Sequence, residues 1–368
     1  MLNVLLFVAG LVALVGGAEL LVRGASRLAL AFGISPLVVG LTIVAFGTSA
    51  PEMAISAGAV LGGQTDLAVG NVVGSNIFNV LFVLGISALI APLVVHRQVI
   101  RQEVPILIGA SLLLAVLSLD GRLTLFDGAL LLGLVIAYTV FLVVQSRRET
   151  RDAGVAAHGD APANEYDTAL QTPRGGARLP VQLALIVIGL GLLVVGSDWL
   201  VTAAVAFATA LGVSDVVIGL TIVAAGTSMP EVATSIAAAI KGERDIAVGN
   251  AIGSSTFNIL GCLGLSGLLA GSAGLVVPPA LLAFDLWVMV AVALACLPIF
   301  LSGREIARWE GGVFLAYYVA YVAYLILAAQ SHAALPAFSS VMMGFVVPLT
   351  VITLVVVLIR RPTGAPAH

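Results

Sequence analysis

GLTIVAFGTSAPE, residues Gly40 to Glu52, occurs a second time as GLTIVAAGTSMPE, Gly219 to Glu231, and the copies differ only at Phe46/Ala225 and Ala50/Met229. Both lie inside long apolar runs, yet each carries Thr-Ser, a Pro and a Glu where a membrane helix would normally read Leu or Val. Pro51 has no N–H and its ring crowds the carbonyl of Gly47, so the helix must break there. The carbonyls so freed, and the Thr48 and Ser49 hydroxyls, need partners, because unsatisfied backbone in hydrocarbon costs several kcal/mol per group. A carboxylate at the helix centre adds roughly 3 kcal/mol on translocon scales. A desolvated cation would offset both costs, and Pro230 and Glu231 repeat the arrangement in the second copy.

The surroundings are those of an integral membrane protein: 60% hydrophobic residues, 10% charged, mean hydropathy +1.16. Spanning runs are predicted at 2 to 22, 34 to 61, 67 to 91, 103 to 119 and 125 to 145, then at 181 to 204, 213 to 240, 246 to 270, 279 to 301 and 309 to 329, with an eleventh over Val341 to Ile359. Subtracting 179 from a residue of the second set gives its partner in the first, without a gap from Glu19/Asp198 through Leu81/Leu260. Five spans is an odd number, so the copies enter the membrane from opposite faces. The predicted fold is therefore an all-α polytopic membrane protein of two inverted five-helix repeats, 1–145 and 179–330. A linker over 146–178 and an extra helix and tail over 331–368 complete it. The N-terminal run lacks a basic start, holds Glu19 and has a later counterpart, so it is read as a retained helix.

An extracellular N-terminus puts fifteen of the sixteen basic residues on the cytoplasmic side and leaves only Arg122 outside. The linker and the C-terminus are then cytoplasmic, and the chain is placed as a multi-pass protein of the plasma (inner) membrane. Arg23 and Arg27 become Thr202 and Ala206 in the second copy, where the same helix end faces outward.

A second duplicated stretch, GNVVGSNIFN from Gly70 to Asn79, returns as GNAIGSSTFN from Gly249 to Asn258. Ser75 and Asn79 are four apart and share a helix face, as do Ser254 and Asn258. The glycines allow helices to approach closely, which is their ordinary structural role in membranes. The two halves together offer Glu52, Glu231, Thr48, Ser49, Thr227, Ser228, Ser75, Asn79, Ser254, Asn258 and the loosened carbonyls, all of them hard oxygen ligands. Ca²⁺ accepts six to eight such ligands in flexible geometry, Mg²⁺ demands a tight octahedron, and transition metals would call for His or Cys, which are absent here. Two carboxylates also suit one divalent ion in alternation with several monovalent ones.

The paired GTSAPE/GTSMPE and GNVVGSNIFN/GNAIGSSTFN motifs, in register in both halves, resemble the alpha-repeats of the sodium/calcium exchanger branch of the cation/calcium antiporter superfamily. The resemblance covers the ten repeat helices. It implies a midplane site, alternating access through movement of the first helix of each repeat, and Ca²⁺ export against Na⁺ entry. Its ligand set falls here on Glu52, Glu231, Thr48, Ser49, Thr227, Ser228, the carbonyls of Ala45 and Ala224, Ser75, Asn79, Ser254 and Asn258. Asn258 departs from it: many relatives carry Asp there, the potassium-dependent members among them, and the amide argues against K⁺ co-transport. Ser255-Thr256 replaces the usual Asn-Ile, and the eleventh helix lies outside the usual ten.

The nearest rival function is a Ca²⁺/H⁺ antiporter using the same carboxylates. A channel would need a continuous pore, and an intramembrane hydrolase a base beside Ser49 or Ser228 that the sequence lacks, so no enzyme is predicted. The expected partners are Ca²⁺ and Na⁺ as substrates and the lipid bilayer, with no cofactor and no nucleic acid. One chain holds both halves of the site, so a monomer suffices for transport. Glu19 and Asp198 are read first as headgroup-level carboxylates anchoring helix ends, with a gate role as the alternative. Asp285 is read as a lone, interfacial acid without a first-half partner. Cys262 and Cys296 are small buried hydrophobes, and His96, His158, His332 and His368 fall in loops or the tail. The linker acids Asp152, Asp160, Glu165 and Asp167 lack the spacing of an EF-hand loop.

Overall fold

The computed structural model describes residues 2–32, 34–156, 179–211 and 224–359. Long Leu-, Val- and Ala-rich runs form helices because only a helix satisfies every backbone group within the segment. The first repeat comprises α1 (Leu2–Phe32), α2 (Pro36–Thr48), α3 (Ala50–Leu61), α4 (Thr65–Ile90), α5 (Val99–Leu117) and α6 (Leu125–Ala156). The second comprises α7 (Leu179–Ala210), a single turn at Ala224–Gly226, α8 (Met229–Ile240), α9 (Arg244–Ala273), α10 (Leu281–Leu301) and α11 (Arg308–Ala329), followed by the extra α12 (Leu335–Val356).

Among the described residues nine helices are long and apolar enough to cross a membrane, and the pair α2/α3, bent by 41°, counts as a tenth. The bend falls where Pro51 withholds its N–H, as the sequence predicts. The remaining expected span, 213 to 240, is described only from residue 224 onward, and the linker only as far as Ala156, the end of α6. Arg174, Arg178, Arg360, Arg361, His158 and His368 lie outside the described residues.

Two short antiparallel ladders tie loops of one repeat to loops of the other. β1 (Leu93–Val94), between α4 and α5, pairs with β4 (Glu305–Ile306), between α10 and α11; β2 (Arg122–Leu123) pairs with β3 (Leu275–Val276). Each ladder therefore brings a loop of the first repeat and a loop of the second to the same end of the helix bundle.

Helices α1 and α7 lie antiparallel along their length. A Cβ on Gly10 would lie 2.8 Å from the Gly196 carbonyl oxygen, and one on Gly17 would lie 2.8 Å from that of Gly189. Gly189 and Gly196 are the repeat partners of Gly10 and Gly17, so this contact is self-complementary, as a twofold relation between inverted copies requires. The most buried spans, α4 and α9, form the centre and carry the GNVVGSNIFN and GNAIGSSTFN motifs. The turns after α3 and α8 also match. Gly63 and Gly242 adopt positive φ (79° and 80°), while Gln64 N–H bonds Ala59 O at 2.8 Å and Glu243 N–H bonds Ala238 O at 2.9 Å.

Candidate functional site

The breaks after Thr48 and before Met229 turn their polar side chains toward each other across the two repeats. The Ser228 hydroxyl donates to Glu52 Oε1 at 2.8 Å, and the Ser49 hydroxyl donates to Glu231 Oε1 at 3.5 Å. Each repeat's serine thus serves the other repeat's carboxylate. All four side chains are fully buried. On the α2–α9 side Thr48 Oγ1 bonds Asn250 Oδ1 at 3.0 Å and lies 3.2 Å from Ser254 Oγ, which itself reaches the Ala45 carbonyl at 3.3 Å.

The corresponding bonds on the other side are absent. Ser75 Oγ and Thr227 Oγ1 are buried with no hydrogen-bond partner, and Ala224 opens the turn before Thr227. Glu52 Oε2, Glu231 Oε2, both amide atoms of Asn79 and Asn258 Nδ2 are likewise buried and unpartnered. Asn258 Oδ1 accepts from Cys262 Sγ at 3.4 Å, so the expectation of no cysteine here is corrected: one helical turn after Asn258 brings this thiol to the edge of the site. Of the twelve residues singled out from sequence, seven (Glu52, Glu231, Ser49, Ser228, Thr48, Ser254 and Ala45) share direct contacts, and four more (Thr227, Ser75, Asn79 and Asn258) carry buried orphan atoms. Ser75 and Asn79 are brought in by burial rather than by a bond, and the Ala224 carbonyl has no described contact. An orphaned buried oxygen costs about 1 to 3 kcal/mol, and a cluster of them suits a hard cation as their common partner.

Asn79 and Asn258 each open a π-turn, Asn79–Leu84 and Asn258–Cys262, a local widening frequent at functional sites. Two further duplicated pairs hold the carboxylate-bearing turns, and the sequence reading did not assign them. Asn71 Nδ2 donates to Ser56 Oγ at 3.0 Å and to Glu52 O at 3.4 Å, while Asn250 Nδ2 donates to Ser235 Oγ at 2.9 Å and to Glu231 O at 3.3 Å. The signal was available: Ser56/Ser235 and Asn71/Asn250 are both polar pairs at the 179 offset.

The repeat glycines behave differently in the two halves. A Cβ on Gly253 would lie 2.8 Å from both Ala45 Cβ and Leu41 O, and one on Gly249 3.0 Å from Leu37 O. Gly74 has nothing within 4 Å among the described residues. Close helix packing is thus the role of Gly249 and Gly253, as their ordinary reading holds.

Asp285 is not alone. A π-turn Leu281–Asp285 at the start of α10 matches the π-turn Val99–Glu103 at the start of α5, and each ends on the acid. Tyr321 OH donates to Asp285 Oδ1 and Tyr138 OH donates to Glu103 Oε2, both at 2.7 Å. Glu103, fully buried, also accepts from Gln98 and Gln102 at 3.1 and 2.8 Å. The first-half partner of Asp285 is therefore Glu103; the two are 182 residues apart, because three extra residues in the second copy shift the register after Ala91/Ala270. Glu19 is ion-paired to Lys241 at 2.7 Å and to Arg23 at 2.5 Å, the only ion pairs among the described residues. Its partner Asp198 is exposed.

Comparison with known proteins places this geometry. The profile of the sodium/calcium exchanger protein family matches residues 2–144 and 181–327. The inner membrane protein YrbG of Escherichia coli is 39% identical over 264 residues, covering 72% of this chain and 79% of that protein. The sodium/calcium exchanger MaX1 of Methanosarcina acetivorans is 35% identical over 355 residues, covering 88% of this chain and 98% of its own. The solved structure of the sodium-calcium exchanger NCX_Mj soaked with 2.5 mM Na⁺ and 0.1 mM Ca²⁺ superposes with a TM-score of 0.71 at 33% identity, covering 88% of this chain and 98% of that one. With both halves matched, the chain belongs to the sodium/calcium exchanger family of secondary transporters.

Proposed function

We propose that this antiporter exports Ca²⁺ in exchange for Na⁺ by alternating access around the site between Glu52 and Glu231. The observation that carries the reading is the reciprocal bonding of Ser228 to Glu52 and Ser49 to Glu231, which brings one carboxylate from each repeat into a single buried cluster with orphaned oxygens. Two carboxylates neutralise one Ca²⁺ or accept two Na⁺. Thr48, Thr227, Ser75, Ser254, Asn79 and Asn258, with the Ala45 and Ala224 carbonyls, supply neutral oxygens. Asn79 and Asn258 add ligand atoms without adding charge, so no K⁺ is needed beside a bound Ca²⁺.

In this reading residues 1–145 and 179–330 are the two inverted units, 146–178 is a cytoplasmic linker, and 331–368 adds a helix. The N-terminus is outside and the C-terminus inside, which single-cysteine labelling from either face of oriented vesicles tests. The function itself is tested by equilibrium binding of ⁴⁵Ca²⁺ to the purified protein. Na⁺ should displace Ca²⁺ more steeply than first order, and K⁺ should not displace it. Ca²⁺ binding indifferent to Na⁺ would overturn the shared-site reading.

A further inference from the structure

The α1/α7 pair does not sit evenly between the two repeats. Both helices pack on α8, and neither packs comparably on its repeat partner α3. Ile55 on α3 is 49% exposed, while its counterpart Thr234 on α8 is fully buried. An inverted repeat offers the pair two equivalent stations, one against α8 and one against α3, and the structure shows the first.

Two polar contacts fasten the pair there. Ser197 Oγ on α7 donates to the Gly226 carbonyl at 2.5 Å. That carbonyl lies four residues before Pro230, so proline's missing N–H leaves it without its helical partner. The second contact is Glu19 on α1, whose carboxylate meets Lys241 just past the end of α8 at 2.7 Å, while Lys241 Nζ also reaches the Glu19 carbonyl at 3.4 Å. Arg23, four residues on, closes on the same carboxylate.

The sequence duplicates only half of this. At the α3 station the repeat partner of Glu19 is Asp198, but Ala18 stands where Ser197 does, Gly62 where Lys241 does, and Thr202 takes the place of Arg23. The hydroxyl and the lysine that grip the α8 station have no counterpart at the other, nor has the Arg23 that shares the Glu19 carboxylate within α1.

We propose that Ser197 and the Glu19–Lys241 pair form a one-sided catch, so that the two end states of the transporter are unequal in energy and the state with α1/α7 against α8 is favoured. Ser197 is here a positioning residue, acting on the Gly-Thr-Ser turn of the site through the Gly226 carbonyl. The inference rests on the alternating-access reading and adds to it which state is favoured and by which atoms.

The test is a spin-label distance measurement on the full chain, with labels at Ala31→Cys on α1 and Arg101→Cys on α5; both native cysteines are buried. Under ion conditions that populate both stations, Ser197→Ala and Lys241→Gln should each move the population ratio away from the α8 station by about two- to tenfold, the range of one hydrogen bond or one half-exposed ion pair. Ser197→Thr and Lys241→Arg should keep the parent ratio, whereas Ala18→Ser and Gly62→Lys, which build the missing grip at the other station, should shift it in the same direction as removing the existing one. Unchanged ratios in Ser197→Ala and Lys241→Gln would overturn the catch while leaving alternating access intact. A single distance in Na⁺, in Ca²⁺ and without either would instead remove the two-station reading, and the catch with it.

Discussion

Glu231→Gln keeps the volume and one oxygen of the side chain and removes one of the two charges that face each other across the repeats. Glu231 is fully buried, Ser49 is its side-chain donor, and its second carboxylate oxygen has no partner. A divalent cation in the variant would be opposed by Glu52 alone, leaving one uncompensated buried charge. Breaking a buried charge pair by removing one partner costs about 3 to 5 kcal/mol. At 1.4 kcal/mol per factor of ten, the affinity for Ca²⁺ should fall by about 10² to 10³·⁵. The lost charge is felt less by a single Na⁺, so monovalent binding should weaken by a smaller factor. The assay is ⁴⁵Ca²⁺ uptake into Na⁺-loaded proteoliposomes at saturating and limiting Ca²⁺, with reconstitution normalised by protein. Glu52→Gln should behave alike, because Ser228 and Glu52 repeat the arrangement from the other side. Normal uptake by either variant at limiting Ca²⁺ would refute the two-carboxylate site.

Other outcomes follow from the same structure. Tyr138→Phe leaves Glu103 Oε2 without its 2.7 Å donor in a buried position, which should lower unfolding stability by about 1 to 3 kcal/mol, read as a fall in melting temperature, with little change in flux per folded molecule. Gly253→Ala drives a methyl into Ala45 and Leu41 at 2.8 Å and should reduce folded yield or transport, whereas Gly74→Ala meets nothing within 4 Å among the described residues and should be tolerated in this state. Asn258→Asp adds a third buried charge; transport should then come to depend on K⁺ or on acidic pH, against a parent indifferent to both, as measured by flux with K⁺ or an impermeant cation at clamped potential.

Much of this molecule was legible because duplication turns weak local signals into strong ones. A single buried Glu after a Pro is ambiguous; the same Glu at a fixed offset, with Thr-Ser and Asn beside it, marks a candidate site, and the structure pairs Ser228 with Glu52 and Ser49 with Glu231. The Glu103–Asp285 relation was hidden because the 179 register ends at Ala91/Ala270, where three extra residues enter the second copy, and the partners resume at 182. Once β1 and β3 anchor the comparison the acids align at 182, and β2 and β4, one residue further offset, align their tyrosines at 183. The Lys241–Glu19 contact joins residues 222 apart in sequence, and nothing in local pattern sets the position of α1 along α8. The β-ladders, two residues per strand, are too short for any alternation to register.

The central claim, that one site serves Ca²⁺ and Na⁺ in turn, is tested most directly by ⁴⁵Ca²⁺ flux in proteoliposomes with Na⁺, K⁺ and H⁺ gradients imposed one at a time at clamped membrane potential. The account predicts that an outwardly directed Na⁺ gradient alone drives Ca²⁺ accumulation, with K⁺ and pH gradients leaving it at the level of empty liposomes. Accumulation that persists without any Na⁺ and follows the pH gradient would contradict it and assign the same carboxylates to proton exchange.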